Sequence, residues 1–368
     1  MTKAAELAKM GEVLTNSQIG GRRNIVINGS ASVNQRGDST GVTADGYYGP
    51  DRWHYKTEGE ETVSISQASD GPDGFANSYK VEVTTADSTI AADDYARIET
   101  RLEGQNLQHL KYGASGAESI TLSFYVKSSV TGTYAVGFYS ADGSRNIGST
   151  YTISSANTWE YKTLTFAGDT GGTLNDDNGE ALRIWFLLSA GSNFTSSDNT
   201  SWAGYSDSRV AYGHTANVIG TSSATFQLTG MQLEVGSQAT PFEHASSFGE
   251  TLALCQRYYT VLCEQTASGD ESILNMQAYN TTKIYGVYSL PVEMRAAPTL
   301  VQTTGTNNYK FFRADTSDNF NELEIETNPS NTRNVELFVD ADLSHTQGHA
   351  GWIRSGNENT LVAVSAEL

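Results

Sequence analysis

Four carboxylates crowd one short stretch of the chain: Asp93, Asp94, Glu99 and Glu103. A pair of carboxylates flanking a glycosidic bond is enough to hydrolyse it, one as general acid and the other as base or nucleophile. Nothing in their spacing singles out such a pair. With 42 acidic residues against 23 basic ones, carboxylates are expected to be solvated or ion-paired, and the chain is expected not to be an enzyme. No GxxxxGKS, GxxxxGKT, GxGxxG, HExxH or GxSxG occurs, so the common phosphate-cradling, zinc-hydrolytic and nucleophile-elbow arrangements leave no trace.

Metal chemistry has one local candidate, DTGGTLNDDNGE at 169–180. Placing Gly179 at the turn glycine of an EF-hand loop puts Leu174 at the first ligand position, so this is no EF-hand. A structural Ca²⁺ bridging loops is the one cofactor the sequence allows, with Asp176 and Asp177 as its ligands. His345 and His349 stand four apart in SHTQGHAGW, but the glycine between them favours a loop over a helix that would align them. Cys255 and Cys263 match no zinc or redox spacing and are expected to be inert, buried thiols.

Aromatic side chains among polar ones suggest different chemistry: flat rings stack on the C–H faces of sugars while amides and carboxylates bond the hydroxyls. Trp202, Tyr205 and Tyr212 fall in a polar stretch between Ser192 and Ser223; segments so long are usually functional. They are candidate glycan contacts, as is Trp352, expected to be exposed in the glycine-rich GHAGWIRSG. Trp53, Trp159 and Trp185 lie in strand-like patterns and are expected in the core.

The elements that position these residues read as strands. Thirty-five glycines, nineteen tyrosines and six prolines fit an all-β chain. Short alternating runs recur at 24–28, 51–57, 62–68, 77–83, 95–104, 118–129, 133–140, 158–168, 181–191 and 224–236, separated by Gly, Asp and Asn turns. That pattern predicts a two-sheet sandwich, with one helical interruption at 105–112. From Ser247 a helix, or a helix running into a strand, leads to further strand patterns. Three regions follow: 1–22, an assembly or attachment helix and linker; 23–246, a β-sandwich; and 247–368, a smaller β-rich domain and possible receptor-binding tip. Leu7, Met10 and Leu14 share one helical stripe in the first region and are its assembly candidates. A stripe this short is marginal alone.

The net charge of -19 argues against nucleic acid, whose binding rests on Lys and Arg displacing counterions. No apolar run is long enough for a signal peptide or a membrane span, so synthesis in a cytosol and no membrane insertion are expected.

Three stretches together resemble a known family: GRRNIVINGSASVNQRG with GPDRWHY; SFYVKSS through YKTLTFAGDTGG to LRIWFLLSAGS; and TGMQLEVGSQATPFEHASSFGETLALCQRYY with PVEMRAAPT. They resemble tail-fibre and related virion fibre proteins of tailed bacteriophages, particularly marine and cyanobacterial ones, over most of residues 1–300. The resemblance implies a carbohydrate-binding-module-like jelly roll closed by MQLEVG. It also implies a homotrimer, attachment to other virion proteins through the N-terminus, and a host-surface glycan as partner. A stand-alone carbohydrate-binding protein and, behind it, a polysaccharide depolymerase are the alternatives.

Overall fold

The structure is a computed structural model and describes residues 23–265, 270–313, 316–328, 330–340 and 343–368, together with Lys3. The proposed assembly residues Leu7, Met10 and Leu14 lie outside the described residues. The chain is nearly all β and divides into two compact units, through Thr251 and from Leu252 to Glu367, with Leu368 grouped with the first.

The first unit is a jelly-roll sandwich. Its strands are β1 (Ser39–Val42), β2 (Gly46–Tyr47), β3 (His54–Thr57), β4 (Thr62–Ala68), β5 (Ser78–Thr85), β6 (Tyr95–Glu103), β7 (Ile120–Ser128), β8 (Gly132–Ser140), β9 (Arg145–Ile153), β10 (Glu160–Phe166), β11 (Glu180–Ala190), β12 (Ala203–Gly204) and β13 (Thr225–Val235). Six form one sheet in the order β1-β4-β5-β13-β7-β10, and seven form the other, β12-β9-β8-β11-β6-β3-β2. Every pairing is antiparallel.

Alternation explains the two layers, since successive side chains point to opposite faces. Val81, Leu122, Phe124 and Phe226 come from one sheet, and Ile98, Phe138, Ile184 and Phe186 from the other; all are fully buried in one cluster. Phe124 meets Phe186 edge-on at 5.0 Å and Tyr151 at 5.1 Å, a geometry worth about 0.5–1.5 kcal/mol per pair beyond area burial.

Several sequence expectations shift in detail. Residues 24–28 are buried but form no strand: Asn24 Oδ1 accepts from the backbone N–H groups of Val26 (3.0 Å) and Leu233 (3.1 Å), taking the place of a ladder partner. Residues 105–112 form two 3-10 turns, Gly104–Asn106 and Gln108–Leu110, which bury Leu107 and Leu110. β9 was not expected, because Asn146, Gly148 and Ser149 interrupt its apolar pattern. Trp159 is half-buried beside Asp70 rather than in the core, its Nε1 donating to Oδ1 at 3.3 Å. Trp53 and Trp185 are buried.

The closing strand β13 sits between β5 and β7. Gly230, at φ 59°, makes a bulge between Thr229 and Gln232, a backbone that L side chains resist. Beyond it, Glu234 accepts from Thr240 N (2.8 Å) and Oγ1 (2.7 Å), and Gln232 Oε1 accepts from Glu243 N (2.7 Å). These bonds fold Pro241 and Phe242 back along the strand they follow, with Phe242 edge-on to Phe75 at 5.0 Å.

The helix α1 (Phe248–Gln256) follows. Ser247 Oγ accepts from Glu250 N at 3.2 Å, and Glu250 Oε2 accepts from Ser246 Oγ at 2.6 Å, in the manner of a capping box.

The second unit has β14 (Tyr259–Glu264), β15 (Ser272–Ala278), β16 (Ile284–Ser289), β17 (Thr299–Gln302), β18 (Tyr309–Arg313), β19 (Thr316–Phe320), β20 (Glu324–Glu326), β21 (Asn334–Val339), β22 (Ala350–Ser355) and β23 (Leu361–Ser365). They form a three-stranded sheet, β14-β23-β17, and a seven-stranded one, β19-β18-β22-β15-β16-β21-β20. Phe311, Leu337, Ile353 and Val362 are fully buried in its core. Cys255 and Cys263 are buried and free, and burial raises the Cys263 thiol to about 11. Among the described residues no helix is long and apolar enough to cross a membrane.

Candidate functional site

β6 lies within the seven-stranded sandwich sheet and contributes a charged row to its outer face. Its even positions, Ala96, Ile98 and Leu102, enter the core. The odd ones, Tyr95, Arg97, Glu99 and Arg101, therefore face outward. The polar stretch after Ser192 folds over part of this face, and Phe194, Val210 and Ala211 pack with Tyr95, Trp185 and Leu187 in a second small core. Trp185 lies opposite Gly137 on β8. A Cβ at that glycine would stand 2.7 Å from Trp185 Nε1 and 2.7 Å from Ile147 O, so glycine there makes room for the indole.

Glu99 is the electrostatic centre of the face. It is wholly buried. Oε2 accepts from Arg97 Nε at 2.9 Å, Oε1 accepts from Arg101 Nη2 at 2.7 Å, and Arg183 Nη1 lies 3.7 Å away. Burial pushes the carboxyl pKa up, but the charges of Arg97, Arg183 and Arg101 outweigh that and hold it at about 2. His54 Nδ1 is 3.6 Å from the same carboxylate, yet burial lowers its pKa to about 4, with Glu99 opposing and Arg101 adding to the fall.

Arg97 also lies over two rings, with Cζ 4.9 Å from the Trp185 centroid and 5.1 Å from that of Tyr95. Glu99 pins its Nε, and its two terminal nitrogens have no hydrogen-bond partner among the described residues.

These side chains border a cavity of about 370 Å³ lined by Glu58, Asp93, Tyr95, Arg97, Phe194, Tyr205 and Asp207. That is near the lower end of small-molecule sites, about 300–1,000 Å³. Tyr95, Arg97 and Phe194 are at least nine-tenths buried, whereas Glu58, Asp93, Tyr205 and Asp207 are exposed. The cavity thus has a floor of rings and a guanidinium beneath a rim of carboxylates. Tyr205 donates its hydroxyl to Asp207 Oδ1 at 2.8 Å and meets Tyr139 edge-on at 5.1 Å. Burial and the Asp207 carboxylate both raise its phenol pKa.

The candidate residues separate. Tyr205 lines the cavity. Tyr212 is exposed and does not line it. Trp202 is half-buried against the main core, donates Nε1 to Ala167 O at 2.7 Å and meets Tyr112 edge-on at 5.7 Å; it pins the loop that carries Tyr205. Of the clustered carboxylates, Asp93 reaches the cavity. Asp94 Oδ2 accepts from Ala91 N at 2.5 Å and Glu103 accepts from Gln105 Nε2 at 2.6 Å.

Asp176 and Asp177 are exposed, and Asp177 Oδ1 accepts from Gly179 N at 2.8 Å in a turn. Among the described residues no group of three or more His, Cys, Asp or Glu is arranged to hold a metal ion.

In the second unit, Trp352 belongs to β22 and is not exposed. It is half-buried, cross-strand from Phe312, with ring centroids 5.2 Å apart and Arg354 over both rings. On the same sheet Tyr285 pairs with Phe338 beneath Lys283.

No family model and no curated protein matches the chain. Solved structures similar to part of it include the enzymatically active domain of bacteriophage CBA120 tailspike protein 4, at 14% identity over 58% of this chain and 21% of that one, TM-score 0.34. A putative sugar binding protein from Bacteroides thetaiotaomicron matches at 10% identity over 58% of this chain and 100% of that one, TM-score 0.31. A family 11 carbohydrate-binding module from Clostridium thermocellum, in complex with a β-1,3-1,4-mixed-linked tetrasaccharide, matches at 14% identity over 56% and 98%, TM-score 0.27. The chain spans about a fifth of the tailspike domain's length. At these scores the likeness identifies neither ligand nor activity.

Proposed function

We propose that the sandwich is a glycan-binding module whose cavity receives a sugar residue, and that the chain is a virion fibre protein of a tailed bacteriophage, attaching to host-surface glycan without cleaving it. The observation that carries the binding reading is the cavity itself: aromatic walls from Tyr95, Phe194 and Tyr205, with the unfilled donors of Arg97 and the carboxylates of Glu58, Asp93 and Asp207 around them. Rings take the apolar face of a pyranose, and the charged groups bond its hydroxyls.

The fibre reading rests on the sequence motifs described above. A homotrimer assembled through residues 1–22 multiplies weak single sites by avidity, provided its geometry lets several engage at once.

A second contact surface is favoured by one observation, the two ring pairs of the C-terminal sheet, Phe312 with Trp352 and Tyr285 with Phe338. The test is adsorption of the full chain to host cells and to an array of bacterial surface glycans, beside Tyr205→Ala and Trp352→Ala. Loss of adsorption with Tyr205→Ala supports the cavity. Loss with Trp352→Ala alone transfers the contact to the C-terminal sheet. Release of reducing ends from bound polysaccharide overturns the non-enzymatic reading.

A further inference from the structure

The cavity presents three carboxylates, Glu58, Asp93 and Asp207, and one guanidinium, Arg97. Arg97 pairs with Glu99 at 2.9 Å, a carboxylate it shares with Arg101 and Arg183. Lys56 Nζ, 5.8 Å from the centroid of the Tyr95 ring, is 2.6 Å from Asp45 and 3.4 Å from Glu58. Asp93 has no ion-pair or hydrogen-bond partner for its side chain among the described residues, and Asp207 has one oxygen committed to Tyr205. The rim therefore carries unneutralised negative charge above a floor of donors and rings.

A metal ion would relieve that charge if the carboxylates converged. Among the described residues no such convergence occurs; these groups line a space of about 370 Å³ instead. Their spread suits an organic ligand that offers one cationic group at the rim and hydroxyls to the floor.

We infer that the ligand is an amino sugar with a free ammonium group, a building block of deacetylated or partly deacetylated surface polysaccharide. This rests on the glycan-binding reading of the same cavity and narrows it. The ammonium lies at the rim, where Asp93 and Asp207 oppose its charge. The ring packs against Tyr205, and hydroxyl oxygens accept from the terminal nitrogens of Arg97. Selectivity follows from both signs of interaction. An N-acetyl group removes the cation that the rim attracts, and a carboxylate or phosphate on the sugar meets like charge at the rim. The floor guanidinium does not reverse this preference, because it is one cation against three carboxylates of the lining.

The test is titration calorimetry of the full chain with three probes of equal length: an oligomer of glucosamine, the same oligomer fully N-acetylated, and an oligomer of galacturonic acid. The titration is repeated with Asp93→Asn/Asp207→Asn, whose substituted side chains are exposed, and with Tyr205→Ala. The expected result is at least tenfold tighter binding of the glucosamine oligomer than of either other probe, with that preference abolished in the double variant and all binding weakened by Tyr205→Ala. Equal or tighter binding of the acetylated or acidic oligomer, weakened by Tyr205→Ala, overturns the amino-sugar inference and leaves the cavity a glycan site. Binding untouched by Tyr205→Ala, or no binding of any probe, overturns both.

Discussion

Arg97 and Glu99 stand two residues apart on the outward face of β6, joined by a 2.9 Å bond from Nε to Oε2. The bond matches a wholly buried carboxylate with a cation and leaves that cation's terminal nitrogens for the cavity. Stability and binding therefore meet in one pair. Replacing Glu99 by Gln is expected to cost about 3–5 kcal/mol, the usual penalty for breaking a buried ion pair from one side. It leaves Arg97, Arg101 and Arg183 without their shared counter-charge. Urea denaturation measures the loss; a variant within about 0.5 kcal/mol of the parent, the range of ordinary surface changes, contradicts this role.

Mild acid should destabilise the sandwich through its two buried histidines. Burial lowers both His54 and His214 from 6.5 to about 4; His214 Nδ1 accepts from Ala135 N at 3.0 Å, which requires that nitrogen unprotonated. Between those values the unfolded chain binds more protons than the folded one, so stability rises with pH. The contribution of the neutral imidazoles is complete above about pH 6.5 and is lost as pH falls toward 4, up to about 3 kcal/mol for each ring. Glu99, depressed to about 2, keeps its charge through that window. Thermal melts between about pH 7 and pH 5 should show a falling midpoint, with a shallower slope in His214→Asn. An unchanged slope would falsify the assignment to His214.

Trp202 holds the loop that carries Tyr205. Trp202→Ala is expected to cost about 2–3 kcal/mol, less than a fully buried tryptophan because the ring is half-buried. Trp202→Phe should cost about 1 kcal/mol through the lost bond to Ala167 O. Limited proteolysis should then cut the Trp202→Ala variant within 192–223 sooner than the parent, and sugar binding should weaken with it. Equal cleavage rates would show that other contacts hold the loop.

The fibre reading makes a claim about assembly. Light scattering of the full chain is expected to give three times the chain mass of 39.7 kDa. A form lacking residues 1–22 should give a single chain mass. A monomeric full-length protein would remove the trimer from the account.

Much of the sandwich was legible because alternation carries the signal wherever one face of a strand is buried and the other is not. β4 and β5 show it plainly. The signal fails where glycine and asparagine enter a ladder, as at Asn146 and Gly148 in β9, and where side-chain amides replace ladder bonds, as at Asn24. It also misled at Trp352, since a glycine-rich setting suggests an exposed ring although Gly351 leaves space against Phe311 within a sheet.

The cavity was barely legible. Tyr205 was found because a large ring stood in a polar segment, and Asp93 was singled out only as a possible catalytic acid. Glu58, Arg97 and Asp207 come from separate segments and share no motif. One cue was available: Tyr95, Arg97, Glu99 and Arg101 alternate with apolar residues on a strand, the mark of a sheet face whose charges need partners.

The central claim is that the sandwich cavity holds the sugar. The most direct measurement is a crystal structure of the full chain with the tightest-binding oligosaccharide. The account requires a pyranose against Tyr205, with an oxygen within hydrogen-bonding distance of the terminal nitrogens of Arg97. A sugar seated over Trp352 and Phe312, with the space between Tyr205 and Arg97 empty, would contradict it.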